Sequence, residues 1–284
     1  MTTALNDQYP DAIVPALTGE NKVRRTYQLM IETVDVKDEF ALLYQRDFPL
    51  AWRLWMHERM NARLLGTSST LTGNPGRLIH VWYVEWGFSL AEMHAALYEE
   101  AQRQDWPKEM FGRLNNVSYD VLVPTPYDPG RCWRVPGSTQ RCSCQDAPIS
   151  APSASCVESI SSPIQTNGPQ RCVARLLDVI DVKPGRLSDL ADKKKRCFVE
   201  NAKQLFGITL VASGMRVAEP RRLVQVWNLP EADSLQKAAL KFEDAGWYQD
   251  MLSNDVASEQ QELLLPWIHD PRPTFKDNCW QFDV

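Results

Sequence analysis

Apolar and polar positions follow one succession of patterns twice along this chain, and each pass predicts strand, helix, strand, strand, helix, strand. The opening strands are residues 25–34 ("RTYQLMIETV") and 171–180 ("RCVARLLDVI"). In the second pass, Leu187, Leu190, Ala191, Lys194, Cys197, Phe198, Asn201, Ala202 and Leu205 trace a mostly apolar stripe with a helical period. Its counterpart, from about Lys37 to Ala62, carries Phe40, Leu43, Tyr44, Trp52, Trp55 and Met56, and Pro49 is expected to kink or divide it. A short strand ("RLLGTSSTL" or "ITLVASGMRV") precedes a sharply alternating one, "RLIHVWYVE" (77–85) or "RLVQVWNL" (222–229). The last helix should begin at Ser89, with Glu92 three residues on as in a capping box, and run through Leu90, Met93 and Leu97. The final strand closes on "VLVP" (121–124) or "LLLP" (263–266), where proline stops the pairing.

The two passes keep register: 46 residues separate Val36 from Trp82, and 45 separate Val182 from Trp227. "DWPKEM" then answers to "GWYQDM", and "DVLVPTPYD" to "ELLLPWIHD". A period this long means two copies of one small domain, not a solenoid of short repeats. The expected boundaries are 20–127 and 171–284, joined by a flexible linker over 128–170. The element order is that of a ferredoxin-like βαββαβ unit, an α+β fold with both helices on one face of a four-stranded antiparallel sheet. The bare sheet face of each copy needs a cover, and the other copy supplies one, so the copies should pack sheet to sheet.

Composition adjusts this picture little. The chain has 284 residues, which suits two cores better than one, and a net charge of -5 with both signs mixed, so it carries no electrostatic footprint for nucleic acid or an anionic membrane. The basic run "KKKR" (193–196) lies within a helical pattern and reads as a solvated face. The N-terminal residues show no signal-peptide pattern and no stretch approaches a membrane span, so the cytoplasm is the expected compartment. Seven cysteines do not make a disulfide framework, and the spacing of Cys142 and Cys144 is not that of a zinc knuckle; no metal site is expected. The region 128–170 is rich in Ser, Pro, Gly and Cys without periodicity, which is the composition of a linker. No Gly-rich phosphate loop, GxSxG elbow or Ser-His-Asp spacing is found, so no nucleotide cofactor is expected, and the reading is of a cofactor-independent protein.

The segments "RRTYQLMI", "LLGTSSTLTGNPGRLIHVWYVE", "DWPKEM" and "DVLVP" resemble a NIPSNAP-type domain of the dimeric α/β-barrel superfamily. The resemblance covers about Val23 to Pro126, and more weakly Cys172 to Pro271, where Gln225 and Asn228 replace His80 and Tyr83. It implies a pseudo-dimer, one chain supplying both halves of a barrel, with further self-association left open. Relatives of this architecture include cofactor-free monooxygenases, polyketide cyclases, muconolactone-type isomerases and haem-binding enzymes. Fold does not choose among them, so function must come from the site.

Strand alternation puts Leu78, His80, Trp82 and Val84 on one face and Ile79, Val81, Tyr83 and Glu85 on the other. The more aliphatic set is expected against the helices, which would turn His80 and Trp82 into the barrel cavity, with Gln28 and Glu32 from the opening strand and Gln225 and Trp227 opposite. His80 is the candidate general acid/base, oriented by Glu32 or Asp120, and only the first copy has it, since Gln225 stands in the second. Gln28, Trp82, Gln225, Trp227 and His57 are candidate substrate-binding residues. His57 could also cap its helix, and His94 reads as a helix-to-sheet packing residue. Ten tryptophans offer aromatic walls for a small-molecule pocket, although most must be core. The leading expectation is a cofactor-independent cyclase, isomerase or oxygenase of secondary metabolism, acting on a hydrophobic aromatic or polyketide-like molecule. The alternatives are a non-catalytic NIPSNAP-like binding or adaptor protein with a filled barrel, and a haem-binding barrel with His80 or His57 as axial ligand.

Overall fold

The computed structural model describes residues 27–71, 76–85, 88–125, 128, 173–187, 190, 195–267, 274–276 and 279–281. The first copy runs β1 (Tyr27–Val36), α1 (Ala41–Met60), β2 (Arg63–Thr70), β3 (Arg77–Glu85), α2 (Leu90–Arg103), α3 (Trp106–Gly112) and β4 (Leu114–Pro124). The second repeats it with β5 (Ala174–Val182), α4 (Lys195–Phe206), β6 (Thr209–Arg216), β7 (Arg222–Leu229), α5 (Ser234–Phe242), α6 (Gly246–Asp250) and β8 (Val256–Pro266). A two-stranded ribbon, β9 (Thr274–Lys276) and β10 (Cys279–Gln281), follows. Residues 129–172, which hold nearly all of the expected linker, lie outside the described residues.

Ser89 caps α2 as its spacing required: its Oγ accepts from the Glu92 N–H at 3.3 Å. Helix α1 is not divided at Pro49 but continues from Ala41 to Met60. It stops at Asn61, which takes a left-handed conformation (φ 49°) that asparagine tolerates better than most residues.

The eight long strands form one closed barrel in the order β1-β3-β2-β8-β5-β7-β6-β4. Each copy is thus a ferredoxin-like sheet, and the two sheets join at both edges. Ser68, Ser69 and Thr70 of β2 pair with Pro266, Leu265 and Leu264 of β8, while Leu122, Val123 and Pro124 of β4 pair with Arg216, Met215 and Gly214 of β6. Closure removes the exposed edges that either sheet would present alone. The chain is therefore a single-chain pseudo-dimeric α/β barrel, with helices outside and two sheet faces inside. No helix among the described residues is long and apolar enough to cross a membrane.

The facing of the strands reverses the sequence expectation. The barrel interior is the aliphatic face: Leu29, Ile31, Ile79 and Val81 of the first copy meet Val211, Ala212, Val224 and Val226 of the second, with Leu65, Leu122 and Leu264. The helix-covered face carries Met30, Val34, Leu78, Trp82 and Val84 against Tyr44, Trp52, Trp55, Met56, Met93, Leu97 and Met110. Sheet-on-sheet packing sealed all round by closure is the drier environment and takes the aliphatic set. Helices laid across a twisted sheet leave wedge-shaped gaps, which indoles fill. His80 and Trp82 thus point to the helices, not to the interior.

Candidate functional site

One row of residues crosses the first sheet. In β-pairing register, Glu32 on β1 stands opposite Tyr119 on β4 and opposite His80 on β3, and His80 stands opposite Thr67 on β2. Directly paired residues project to the same side of a sheet, so Tyr119, Glu32, His80 and Thr67 form a polar line beneath the helices.

Glu32 is 3% exposed, and its Oε2 accepts hydrogen bonds from Trp82 Nε1 at 2.8 Å and from Trp52 Nε1 at 3.0 Å. Burial pushes its carboxyl up to about 7, against the opposing pull of hydrogen bonds from Trp52, Trp82 and Tyr119. The same burial raises the phenols of Tyr44 and Tyr119, and the charge of Glu32 raises them further, so both stay protonated. His80 is 2% exposed, and burial lowers its imidazole to about 4. Neither of its ring nitrogens has a hydrogen-bond partner. A neutral imidazole with both nitrogens unused in a dry core is a costly arrangement for packing alone.

A cleft of about 400 Å³ opens beside this row, lined by Leu90, His94 and Leu97 of α2, Phe111 of α3, and Val117, Ser118 and Tyr119 of β4. Tyr119 and Phe111 connect the cleft to the buried row, since Tyr119 bonds Glu32 and Phe111 sets its edge on Trp52 at 6.4 Å. His94 is exposed and meets the Tyr119 ring edge-on at 5.8 Å, so it packs α2 to β4 at the mouth of the cleft. On the far side, Trp267 of the second copy joins the first copy's aromatic core, and its backbone N–H donates to the Thr67 carbonyl at 2.9 Å.

Of the residues singled out from sequence, His80, Glu32 and Trp82 do come together, on the helix side. Gln28 shares their face four positions along β1, roughly 13 Å from Glu32 at the strand rise, with its Oε1 buried and unpartnered. Asp120 cannot orient His80: it is paired with Ile31, which faces the interior, and it binds Arg216 Nη2 at 2.5 Å. His57 lies in the last turn of α1 and does not line the cleft. Gln225 and Trp227 do not face the first copy across a cavity. They sit under the second copy's own helices, where Gln225 Nε2 donates to Ser213 Oγ at 3.3 Å and Trp227 packs on Phe198. The second copy's row is Gln261, Asp178, Gln225 and Ser213. Asp178, one methylene shorter than Glu32, leaves the Trp227 indole N–H without a partner.

Sequence reasoning missed Tyr119, Tyr44 and Phe111 as site residues and read Trp52 as part of the apolar stripe of the first helix. Tyr44 and Trp52 lie on the apolar stripe of α1, which is indistinguishable from core by period. Tyr119 is betrayed only by strand pairing.

Among the described residues, no group of three or more His, Cys, Asp or Glu could hold a metal ion. Neither His80 nor His57 is placed as an axial ligand for a haem in the cleft, because neither lines it and His80 sits in close-packed core.

No family model matches the chain, and no curated protein matches it. Among solved structures, a Lactobacillus acidophilus protein provisionally named a monooxygenase is similar over 85% of this chain and 94% of its own, with TM-score 0.50 and 10% identity. A Fusobacterium nucleatum protein with the same provisional name covers 86% of this chain and 94% of its own, with TM-score 0.49 and 12% identity. A NIPSNAP family protein from Agrobacterium tumefaciens covers 37% of this chain and 90% of its own, with TM-score 0.29 and 18% identity. The first likeness is one of fold, that of the dimeric α/β barrels, and none of the three singles out NIPSNAP within it.

Proposed function

We propose that this chain is an enzyme acting without a resident cofactor on a hydrophobic, aromatic or polyketide-like small molecule at the helix-covered face of the first copy. Glu32 is the proton-transferring group. The observation that carries this reading is a carboxyl buried to 3% exposure, poised near neutrality, and hydrogen-bonded to the tyrosine that walls a cleft. A group whose pKa lies near the working pH is present as both acid and base, which suits general acid/base transfer.

An aromatic ligand would lie against Phe111, Leu90 and Leu97 and present an acidic O–H or C–H to Tyr119. Its proton passes through the Tyr119 hydroxyl to Glu32, while the Trp52 and Trp82 N–H groups hold the carboxylate in place. The neutral His80 lies beyond Glu32 in the packed core and does not line the cleft, so the acid/base role passes from it to Glu32. The enolate or phenolate so formed could close on an internal carbonyl, reprotonate elsewhere or react with dioxygen. The fold likeness to the protein provisionally named a monooxygenase favours the last, and all three begin with the same proton removal, which is the step to test first.

The test is deuterium exchange at C2 of 1-tetralone, followed by NMR. The intact chain should accelerate exchange and Glu32→Gln should abolish it. A wild-type protein that neither exchanges nor binds tetralone, read by quenching of tryptophan fluorescence, would support the second reading, a non-catalytic binding or adaptor protein. That reading draws on the barrel interior, which is filled largely by aliphatic side chains, with Tyr27 and Tyr83 stacked among them.

A further inference from the structure

We propose that the first copy also carries a one-electron relay: Trp106, Trp55, Trp52 and Trp82 pass an oxidising equivalent inward, and Glu32 takes the proton that the oxidised indole releases. This function needs no substrate in the cleft and does not rest on the reading above.

The rings are in series. Trp82 meets Trp52 edge-on at 6.5 Å, Trp52 stacks on Trp55 at 5.2 Å with an interplanar angle of 8°, and Trp55 meets Trp106 at 6.4 Å and 61°. Trp52, Trp55 and Trp82 are buried, whereas Trp106 is half-buried at the start of α3 and forms the solvent end. Indoles are among the most easily oxidised side chains, and rings in contact make each electron step short.

Oxidation makes the indole N–H, ordinarily a very weak acid, about as acidic as a carboxylic acid, so the hole comes to rest where a base waits. Trp55 Nε1 is buried without a partner, but Trp52 and Trp82 both donate to Glu32 Oε2. The second copy is an internal control for packing. It fills the same space with Phe198, Phe242 and Tyr248 around Trp227, whose N–H has no partner. The place that Trp52 takes beside Trp82 is taken beside Trp227 by Phe198, which has no N–H to donate, so the bonded indole pair of the first copy calls for a reason other than packing.

In the reaction, a one-electron oxidant takes one electron from Trp106. Trp55 refills Trp106, Trp52 refills Trp55, and Trp82 can refill Trp52. The Nε1 proton of Trp52 or Trp82 crosses its hydrogen bond to Glu32 Oε2. The net change is one reduced oxidant, one neutral tryptophanyl radical and one protonated Glu32. The carboxylate form of Glu32 is required, so the relay works best above pH about 7.

The experiment is pulse radiolysis of the full chain with azidyl radical as oxidant, at pH above 7, read by transient absorption and by electron paramagnetic resonance with ring-deuterated tryptophan. The expected product is a neutral tryptophanyl radical that outlives free indolyl radical several-fold. Trp106→Phe should slow its formation several-fold, and Glu32→Gln should shorten its life several-fold, while Trp247→Phe, the second copy's counterpart of the Trp106 change, should alter neither. A tyrosyl radical on Tyr119 or elsewhere, or a radical indifferent to Trp106→Phe and Glu32→Gln, overturns the relay. If Glu32→Gln does not fold, Trp52→Phe serves in its place, because it breaks the series between Trp55 and Trp82 and should leave the radical outside the buried pair. An unchanged signal there also overturns the proposal. Tetralone exchange can fail while the radical persists, and the reverse, so the two readings stand or fall separately.

Discussion

Glu32 and His80 stand directly opposite each other on β1 and β3, both almost fully buried, with no hydrogen bond between them. Glu32 is held instead by the two indoles, and His80 is left neutral. Their titrations oppose each other. Glu32 rises from 4.5 to about 7 on folding, so its contribution is fully present below pH about 4.5 and is lost as pH rises through about 7. His80 falls from 6.5 to about 4, so its contribution is present above pH about 6.5 and is lost as pH falls through about 4. Each shift is worth about 3 kcal/mol at most. Between pH about 4.5 and 6.5 the two slopes nearly cancel. His80→Gln should unmask Glu32: urea midpoints should then fall steadily from pH about 4.5 to 7, where the wild-type protein is nearly flat over most of that range. Parallel curves for the two proteins would mean that the pair does not titrate as the burial implies.

The seam between β4 and β6 depends on Gly214. A methyl group added there would lie 2.7 Å from Leu122 Cβ and 3.0 Å from the Val123 carbonyl oxygen. Neither atom can retreat without moving the strand pairing, so Gly214→Ala should cost about 2 kcal/mol or more. Gly112→Ala, with nothing within 4 Å of the added carbon, is the control. Denaturant titration of the two variants measures the difference, and amide exchange should show opening confined to Leu122–Pro124 and Gly214–Arg216.

At the same seam, Asp128 ties three segments together. Its Oδ2 accepts from the Tyr27 hydroxyl and its Oδ1 from the Ser213 N–H, both at 2.6 Å, with the side chain 1% exposed. Asp128→Ala leaves both donors buried and short of an acceptor, at a cost of about 2–4 kcal/mol, whereas Asp128→Asn keeps one acceptor and should lose less. Thermal unfolding ranks them. Equal losses would show that the charge, and not the geometry, is what the seam uses.

Much of the architecture was legible in the sequence because it rests on patterns that the chain writes locally. The repeated register from Val36 to Trp82 and from Val182 to Trp227 gave two copies, and the spacing of Ser89 and Glu92 gave a helix start. The side on which His80 lies was not legible. Alternation divides Leu78, His80 and Trp82 from Ile79 and Val81, but which set meets the helices depends on how the second sheet closes the barrel. The candidate site suffered for the same reason. Glu32 and His80 are about 50 residues apart in sequence and their opposition is a fact of strand register, while Tyr119 reaches Glu32 only through the pairing of β1 with β4. Asp120 follows Tyr119 by one residue, and that single step turns it to the other face, opposite Ile31.

The second copy provides a gain-of-contact prediction. Asp178 occupies the place of Glu32, and Trp227 that of Trp82, yet the Trp227 indole N–H has no partner. Asp178→Glu adds the missing methylene and should bring a carboxylate oxygen to Trp227 Nε1. The new hydrogen bond is worth about 1 kcal/mol or slightly more, set against a similar cost for fitting one more carbon into a filled core. Stability alone is therefore a poor readout. The indole N–H resonance of Trp227 is a direct one: in Asp178→Glu it should move downfield and exchange several-fold more slowly with solvent. If the resonance stays where it is in the wild-type chain, then side-chain length is not what separates the two copies, and the difference must lie in the aromatic shell, where Trp52 donates to Glu32 beside Trp82 while Phe198, beside Trp227, has no donor.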